Sequence, residues 1–350
     1  MYSALKDIRI IGMAAAVSNT WDSVRELSNE GEQIINKFIK TTGVEGRYSA
    51  APRQCTSDFY FSAAEKILNE KGIDRSEIGV LVFVAQTSDY GIPATACVLQ
   101  HRLGLNKSCI AFDVNLGCSG FVYGVSIAAG LLKNSDEKKA LVLVGDTLAR
   151  TRKGYGIGQR SSNTTLLFGD ASSAILLDKE KNCSIKSAMM SDGTGHKALS
   201  APYNAWKHPV GPESIPGDDI AVFNFTINEV PALVHEYIEK LGVEMESYDD
   251  LVLHQANMMI IKNIAKRVGM PMEKIPISLD RFGNTSGASV PLTIVDKYGA
   301  SNDSKEVKML TSGFGVGLSW GVMEVKMNTD DILPLTFGKD RYDDDYPDNV

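Results

Sequence analysis

Residues 109–133 read Cys109-Ile110-Ala111-Phe112-Asp113-Val114-Asn115-Leu116-Gly117-Cys118-Ser119-Gly120-Phe121-Val122-Tyr123-Gly124-Val125-Ser126-Ile127-Ala128-Ala129-Gly130-Leu131-Leu132-Lys133. Cys109–Asn115 is a strand-sized run that stops abruptly at a Gly-centred turn, and Phe121–Lys133 follows as a helix that is apolar nearly all round. Such a helix belongs in the interior rather than at the periphery. Gly120, Gly124 and Ala128 fall at i, i+4 and i+8, a stripe of small residues where another backbone can pack closely. Cys118 then stands at the first turn of a buried helix. Unpaired backbone N–H groups and the positive end of the helix dipole there favour thiolate over thiol. The turn also exposes the sulfur at the sheet edge, the logic of a nucleophile elbow. A Cys at such a junction can equally be structural, so the chemical reading needs partners.

Outward from this stretch, strand-like and helix-like runs alternate along the chain, the pattern of an α/β protein. Toward the N-terminus lie a short β-branched run (Ile8–Gly12), helices over Glu30–Lys40 and Phe59–Glu70, a buried strand at Gly79–Gln86, and a helix over Ala94–Leu103 behind Pro93. Toward the C-terminus come strands at Lys139–Gly145 and Thr165–Leu177, the second interrupted by Gly169-Asp170, with an Arg/Gly/Ser-rich loop between them. After Asp178 the alternation restarts. A strand near Ser184–Met190 leads through a Gly/Pro-punctuated loop to a helix from about Asn228 to Leu241. Leu251–His254, Glu306–Ser312 and Leu318–Lys326 are strands, with a helix at Met258–Val268. Two halves of similar content, breaking near Asp178 without a low-complexity linker, point to a duplicated α/β unit sharing one core.

With 350 residues and a net charge of −7, the chain can bury a sizeable core and carries no electrostatic footprint for nucleic acid or anionic membrane. No apolar run approaches the roughly 18–20 residues that a bilayer crossing needs. No signal peptide is read at Met1–Arg9. Five widely spaced Cys without a C-x-x-C pair argue against a disulfide framework or thiolate metal site, and fit a reducing, cytoplasmic compartment. The tail Asp340–Asp348 holds five Asp against one Arg and reads as a solvated or loosely docked extension.

Two further segments supply partners for Cys118. His254 directly follows an apolar strand and precedes a helix, where α/β ligands gather, although a structural His can sit there too. Asn284 lies in the Gly-flanked polar turn Asp280–Ser289, which could instead be a capped helix entry. Gly313-Phe314-Gly315-Val316-Gly317 is a Gly-rich turn whose backbone N–H groups could serve an oxyanion, or a plain hairpin.

Taken together, these segments resemble the β-ketoacyl-acyl-carrier-protein synthase III family of thiolase-fold condensing enzymes. The similarity runs from about Ile8 to Val325 and is strongest around Cys118–Phe121, Phe168-Gly169-Asp170, His254–Asn257, Gly283–Ser286 and Ser319-Trp320-Gly321. It implies a thiolase-like, duplicated α/β/α/β/α layered fold. Residues 1–178 would carry the nucleophile, residues 179–328 the His and Asn, and residues 329–350 an acidic extension. It also implies a homodimer, with Ala94–Leu103 and Cys109–Asn115 near the interface, acyl carrier protein and acyl thioesters as partners, and no cofactor or metal. Catalysis would begin with Cys118 taking an acyl group from coenzyme A or a carrier. His254 and Asn284 would then polarise the malonyl thioester, each donor contributing roughly 3–4 kcal/mol as in oxyanion holes. The backbone N–H groups of Cys118 and Val316 would hold the acyl-Cys oxygen.

This chain departs from the family where coenzyme A is gripped. Lys37 and Thr41 stand where a Trp and an Arg are usual, and Ser162 replaces a further Arg. A basic loop with Arg150, Arg152, Lys153 and Arg160 could instead meet a carrier protein and its phosphopantetheine, with Asn257 beside it, or be merely solvated. Ile92 replaces a Phe that closes the acyl pocket and would admit a longer or branched chain, and Val316 replaces a Gly. Two other readings stand beside condensation: acyl transfer from Cys118 to an alcohol or amine, and a non-catalytic subunit.

Overall fold

The computed structural model of the chain describes residues 1–28, 30–149, 166–202, 207–210, 217–338 and 341–344. Among these, β1 (Tyr2–Val17) is followed by a small pair, β2 (Trp21–Ser23) and β3 (Gly46–Tyr48). Then come β4 (Ile78–Val84), β5 (Ile110–Val114), β6 (Lys139–Asp146), β7 (Ala171–Ser191), β8 (Asp250–Leu253), β9 (Glu306–Gly315), β10 (Ser319–Asn328) and β11 (Thr336–Phe337). Hydrogen bonding links β5-β4-β6-β7-β10-β9-β8 in that order, with β1 along β7 and β11 on β1.

Alternate side chains of each strand enter different cores, as the period of two requires. Val80, Val82 and Val84 of β4 face an inner cluster built around Phe121, Val125 and Ala128 of the Gly120–Lys133 helix and Val290, Leu292 and Ile294 of the Ser289–Tyr298 helix. Leu81 and Phe83 face the opposite way, onto Phe59, Tyr60, Ala63 and Ile67 of the Thr56–Glu70 helix. The same division recurs at the other end of the sheet. Val307 and Met309 point to the inner cluster, whereas Leu310 and Phe314 pack on the Asp219–Leu241 and Met258–Val268 helices. The result is a stack of helix, sheet, helix, sheet and helix layers.

The two halves are joined by β7. Its first part, Ala171–Asp178, pairs with β6, its last part, Lys186–Ser191, pairs with β10, and β1 runs along it antiparallel through both. The strands expected at Thr165–Leu177 and Ser184–Met190 are therefore one, and Asp178 lies inside it. Leu166 and Leu167 are helical rather than strand, and β1 is longer than its β-branched run because β7 supplies partners for Ala14–Val17. The Asp219–Leu241 helix starts well before Asn228: the Asp218 side chain accepts from Ala221 N at 2.9 Å and caps it.

The Gly120/Gly124 stripe meets side chains rather than a backbone. A Cβ on either residue would lie 2.8 Å from a Val84 methyl, so the buried helix sits directly on β4. That close seat sets the depth of the turn that precedes the helix. The tail is docked rather than solvated where it is described. Tyr342 N donates to Asp58 Oδ1 at 2.9 Å, and the Arg102 guanidinium lies 4.7 Å from the ring centres of both Tyr342 and Phe61.

Candidate active site

Cys118 sits in the turn between β5 and the central helix, two residues ahead of the first helical residue and not within its first turn as expected. Gly120 N closes the turn on Gly117 O at 2.7 Å. Strand β9 backs onto this turn. A Cβ on Gly313 would lie 2.8 Å from Cys118 O, and one on Gly315 would lie 2.8 Å from Cys118 Cβ and 3.1 Å from its sulfur. The Gly-rich segment is thus a hairpin between β9 and β10 that also walls the Cys118 site. Val316 follows immediately, and its carbonyl accepts from Ser319 Oγ at 2.6 Å.

His254 directly follows β8, where its backbone N–H donates to Ser312 O at 2.8 Å. The ring is buried, lies edge-on to Phe314 with centres 5.2 Å apart, and has Nδ1 2.6 Å from Ser289 Oγ. Burial lowers its pKa to about 3, so the imidazole is neutral at neutral pH. Asn284 is pinned on both sides by the segment ahead of β7: its N–H donates to Leu167 O at 2.8 Å and its carbonyl accepts from Gly169 N at 3.1 Å. Gly169 is required for that approach, because a Cβ there would lie 2.0 Å from Phe282 O. Asn284 Oδ1 accepts from Ser286 N at 2.9 Å, which turns the Nδ2 amide away as a donor.

Ser286, which the sequence reading passed over, binds the three together. Its hydroxyl lies 3.9 Å from Cys118 Sγ, its N–H holds Asn284, and its backbone contacts the His254 ring. It holds this place at φ 53°, a left-handed conformation uncommon outside glycine. The available signal was a hydroxyl two residues beyond the candidate Asn. Asp146, at the end of β6 with its carboxylate beside the Ser286 side chain, was also missed. An acid at the C-terminal end of an apolar strand is the cue for it.

Burial dominates the electrostatics of the sulfur. It pushes the Cys118 thiol up to about 12, outweighing the Ser286 hydroxyl and the backbone N–H, which act in the other direction. The expected preference for thiolate is therefore overturned at rest: the helix end is too weak against desolvation at a residue that is only 7% exposed.

Ile92 is 89% exposed at a surface turn. Asn257 caps the Met258–Val268 helix by accepting from Ile260 N at 2.9 Å. Arg150 and Arg152, with Lys153, Arg160 and Ser162, lie outside the described residues. Lys37 and Thr41 are exposed on the Glu32–Thr42 helix.

The five-layered stack with this site at its strand ends is a thiolase-like fold. Residues 112–193 match the family model for 3-oxoacyl-[acyl-carrier-protein] synthase III, and residues 238–327 match the model for its C-terminal part. The chain is 32% identical to a β-ketoacyl-[acyl-carrier-protein] synthase III of Pectobacterium atrosepticum, over 89% of this chain and 97% of that one. It is likewise 32% identical to the Clostridium perfringens protein of that name, over 84% and 92%. The crystal structure of a 3-oxoacyl-(acyl-carrier protein) synthase from Burkholderia xenovorans superposes with a TM-score of 0.89 at 30% identity, covering 96% of this chain and 99% of that one. The chain belongs to the β-ketoacyl-[acyl-carrier-protein] synthase III family.

Proposed function

We propose that this protein is a condensing acyltransferase that joins a Cys118-bound acyl group to a malonyl unit carried on an acyl carrier protein, with loss of carbon dioxide. The observation that carries this reading is the gathering of Cys118, His254 and Asn284 around Ser286 in a buried site. In the first half-reaction the Cys118 thiolate attacks the acyl thioester, a new C–S bond forms, and the donor leaves as a thiolate. The backbone N–H groups of Cys118 and Val316 take the oxygen of the tetrahedral intermediate.

In the second half-reaction the C–C bond to the malonyl carboxylate breaks, and its electron pair becomes an enolate at the thioester. A neutral His254 and the Asn284 amide suit that oxygen as donors. This role needs the imidazole proton on Nε2, and the Ser289 hydroxyl 2.6 Å from Nδ1 is able to donate there and so match that tautomer. The enolate carbon then attacks the acyl-Cys carbonyl, and Cys118 leaves as the thiolate with which it began. The carrier approaches past Asn257, and Ile92 reaches the acyl pocket of a second copy in a homodimer. The relatives' names support the carrier as partner.

The test is intact-mass spectrometry after mixing with acyl-CoA and acyl-carrier thioesters, then malonyl-carrier protein. An acyl adduct on Cys118 that malonyl-carrier protein discharges, with carbon dioxide released, is the expected result. Discharge by small alcohols or amines alone would replace it with simple acyl transfer. His254→Ala and Asn284→Ala should still acylate but fail to discharge the adduct.

A further inference from the structure

The condensation proposed above needs a thiolate in a site where burial disfavours one, and His254, with its pKa lowered to about 3, is a poor acceptor for the proton. The end of β6 holds a better one. Asp146 is wholly buried, and its Oδ1 accepts from Gln86 N at 2.7 Å, Thr87 N at 3.0 Å and Thr87 Oγ1 at 2.8 Å. Its Oδ2 is equally buried and has no hydrogen-bond partner within 3.5 Å among the described residues, which leaves the Ser286 side chain as the group at hand for it. A buried carboxylate oxygen held so loosely is costly, and so calls for a role. The Ser286 side chain lies beside this carboxylate, with its Oγ 3.9 Å from the Cys118 sulfur.

We propose that Asp146 is the proton acceptor that activates Cys118, with Ser286 as the relay between them. The thiol S–H bond breaks as its proton passes to the Ser286 oxygen, and the Ser286 O–H bond breaks as that proton passes to Asp146 Oδ2. A thiolate and a neutral carboxylic acid result, so the charge moves to the sulfur while the number of charges in the dry site stays at one. When Cys118 is released, the proton returns by the same path. Among the described residues, Tyr60 and His254 are the other titratable groups that face the pair. Tyr60 spends its hydroxyl proton on Val84 O at 2.7 Å and Gly145 O at 3.0 Å, and His254 touches the Ser286 backbone. The inference rests on Cys118 being the nucleophile.

The experiment is the rate of Cys118 alkylation by iodoacetamide across pH, mapped by mass spectrometry, on the full chain and on Asp146→Asn, Ser286→Gly and Ser286→Ala. The unmodified protein should show a rise in rate near pH 6, where burial places the Asp146 carboxyl, and a shoulder at neutral pH. Asp146→Asn should lose the shoulder, with alkylation at pH 7 falling by about tenfold or more, the scale on which thiolate fraction controls such reactions. Both Ser286 variants should do the same. Glycine accommodates the left-handed backbone and alanine does not, so agreement between them excludes a backbone effect.

A bystander carboxylate predicts the opposite sign: removing its charge would ease ionisation of Cys118 and make Asp146→Asn react faster. That outcome, or an unmodified protein with no inflection near pH 6, overturns the relay. If Asp146→Asn does not fold, the inflection and the Ser286 pair decide. Acyl uptake that survives Cys118→Ala would instead sink the nucleophile assignment, which the alkylation profile does not test.

Discussion

Ser289 Oγ lies 2.6 Å from His254 Nδ1, and both side chains are buried. The hydroxyl belongs to the first residue of the Ser289–Tyr298 helix, so the ring's orientation is set by an element anchored in the inner core. A partner of this kind fixes both the tautomer and the plane of an imidazole. Ser289→Ala should therefore leave acylation of Cys118 unchanged and slow discharge by malonyl-carrier protein about tenfold to a hundredfold, the scale of lost orienting partners. Separate rates for the two half-reactions check this, and equal loss in both would refute it.

Gly315 is the residue whose missing side chain leaves room for the nucleophile. Gly315→Ala would put a methyl 2.8 Å from Cys118 Cβ, and the turn holding the sulfur must then shift. Acylation should fall by about a hundredfold, the cost of a displacement near 1 Å. Gly130→Ala is the control. Gly130 lies on the Gly120–Lys133 helix, where a Cβ would face open space, and the change should stabilise the protein by about 0.5–1 kcal/mol in urea unfolding without touching acylation.

Asp58 and Arg102 form an ion pair at 3.1 Å with both side chains almost wholly buried. Asp58 also accepts from Cys55 N and from Tyr342 N, each at 2.9 Å, which ties the tail to the Thr56–Glu70 helix. Asp58→Ala leaves the guanidinium uncompensated and should cost about 3–5 kcal/mol. Urea midpoints of Asp58→Ala and of the double variant with Arg102→Ala test this. The double variant should recover part of the loss, since it removes the stranded charge.

Stability should respond to pH through two buried groups of opposite sign. His254 titrates at about 3 when folded, below its ordinary 6.5, so the unfolded chain takes up its proton first. Its contribution is full above pH 6.5 and is lost as pH falls toward 3, with a slope of at most about 1.4 kcal/mol per pH unit. Asp146 titrates at about 6, above its ordinary 3.8. Its contribution is full below 3.8 and is lost as pH rises toward 6. Between pH 4 and 6 the two oppose each other. His254→Gln should flatten the acid loss of Tm, and Asp146→Asn should steepen it.

How much of this was legible beforehand varied with how local the cause was. The Met258–Val268 helix was read with its observed ends because Asn257 caps its start and Gly269, at φ 76°, ends it. The β1 strand was read short because Ala14, Ala15 and Ala16 carry little strand propensity, and only pairing with β7 keeps them extended. The break placed near Asp178 followed the restart of the alternation there, but β7 continues through it and β1 pairs on both sides, at Asp178 and Lys179 and again from Ser184 onward.

At the site, Cys118 and His254 stood out because each follows an apolar strand at a turn, Asn284 because it lies in a Gly-flanked polar turn, and the family resemblance joined the three. Local spacing thus determined the α/β class and the turns that carry the candidate groups, and the resemblance picked out the three. Only the tertiary structure decided which neighbours complete them. Asp146, Cys118 and Ser286 come from distant parts of the chain, and no periodicity relates them. Their ionisation was decided there too. A helix end favours thiolate locally, whereas the desolvation that overrides it comes from every layer packed around the sulfur.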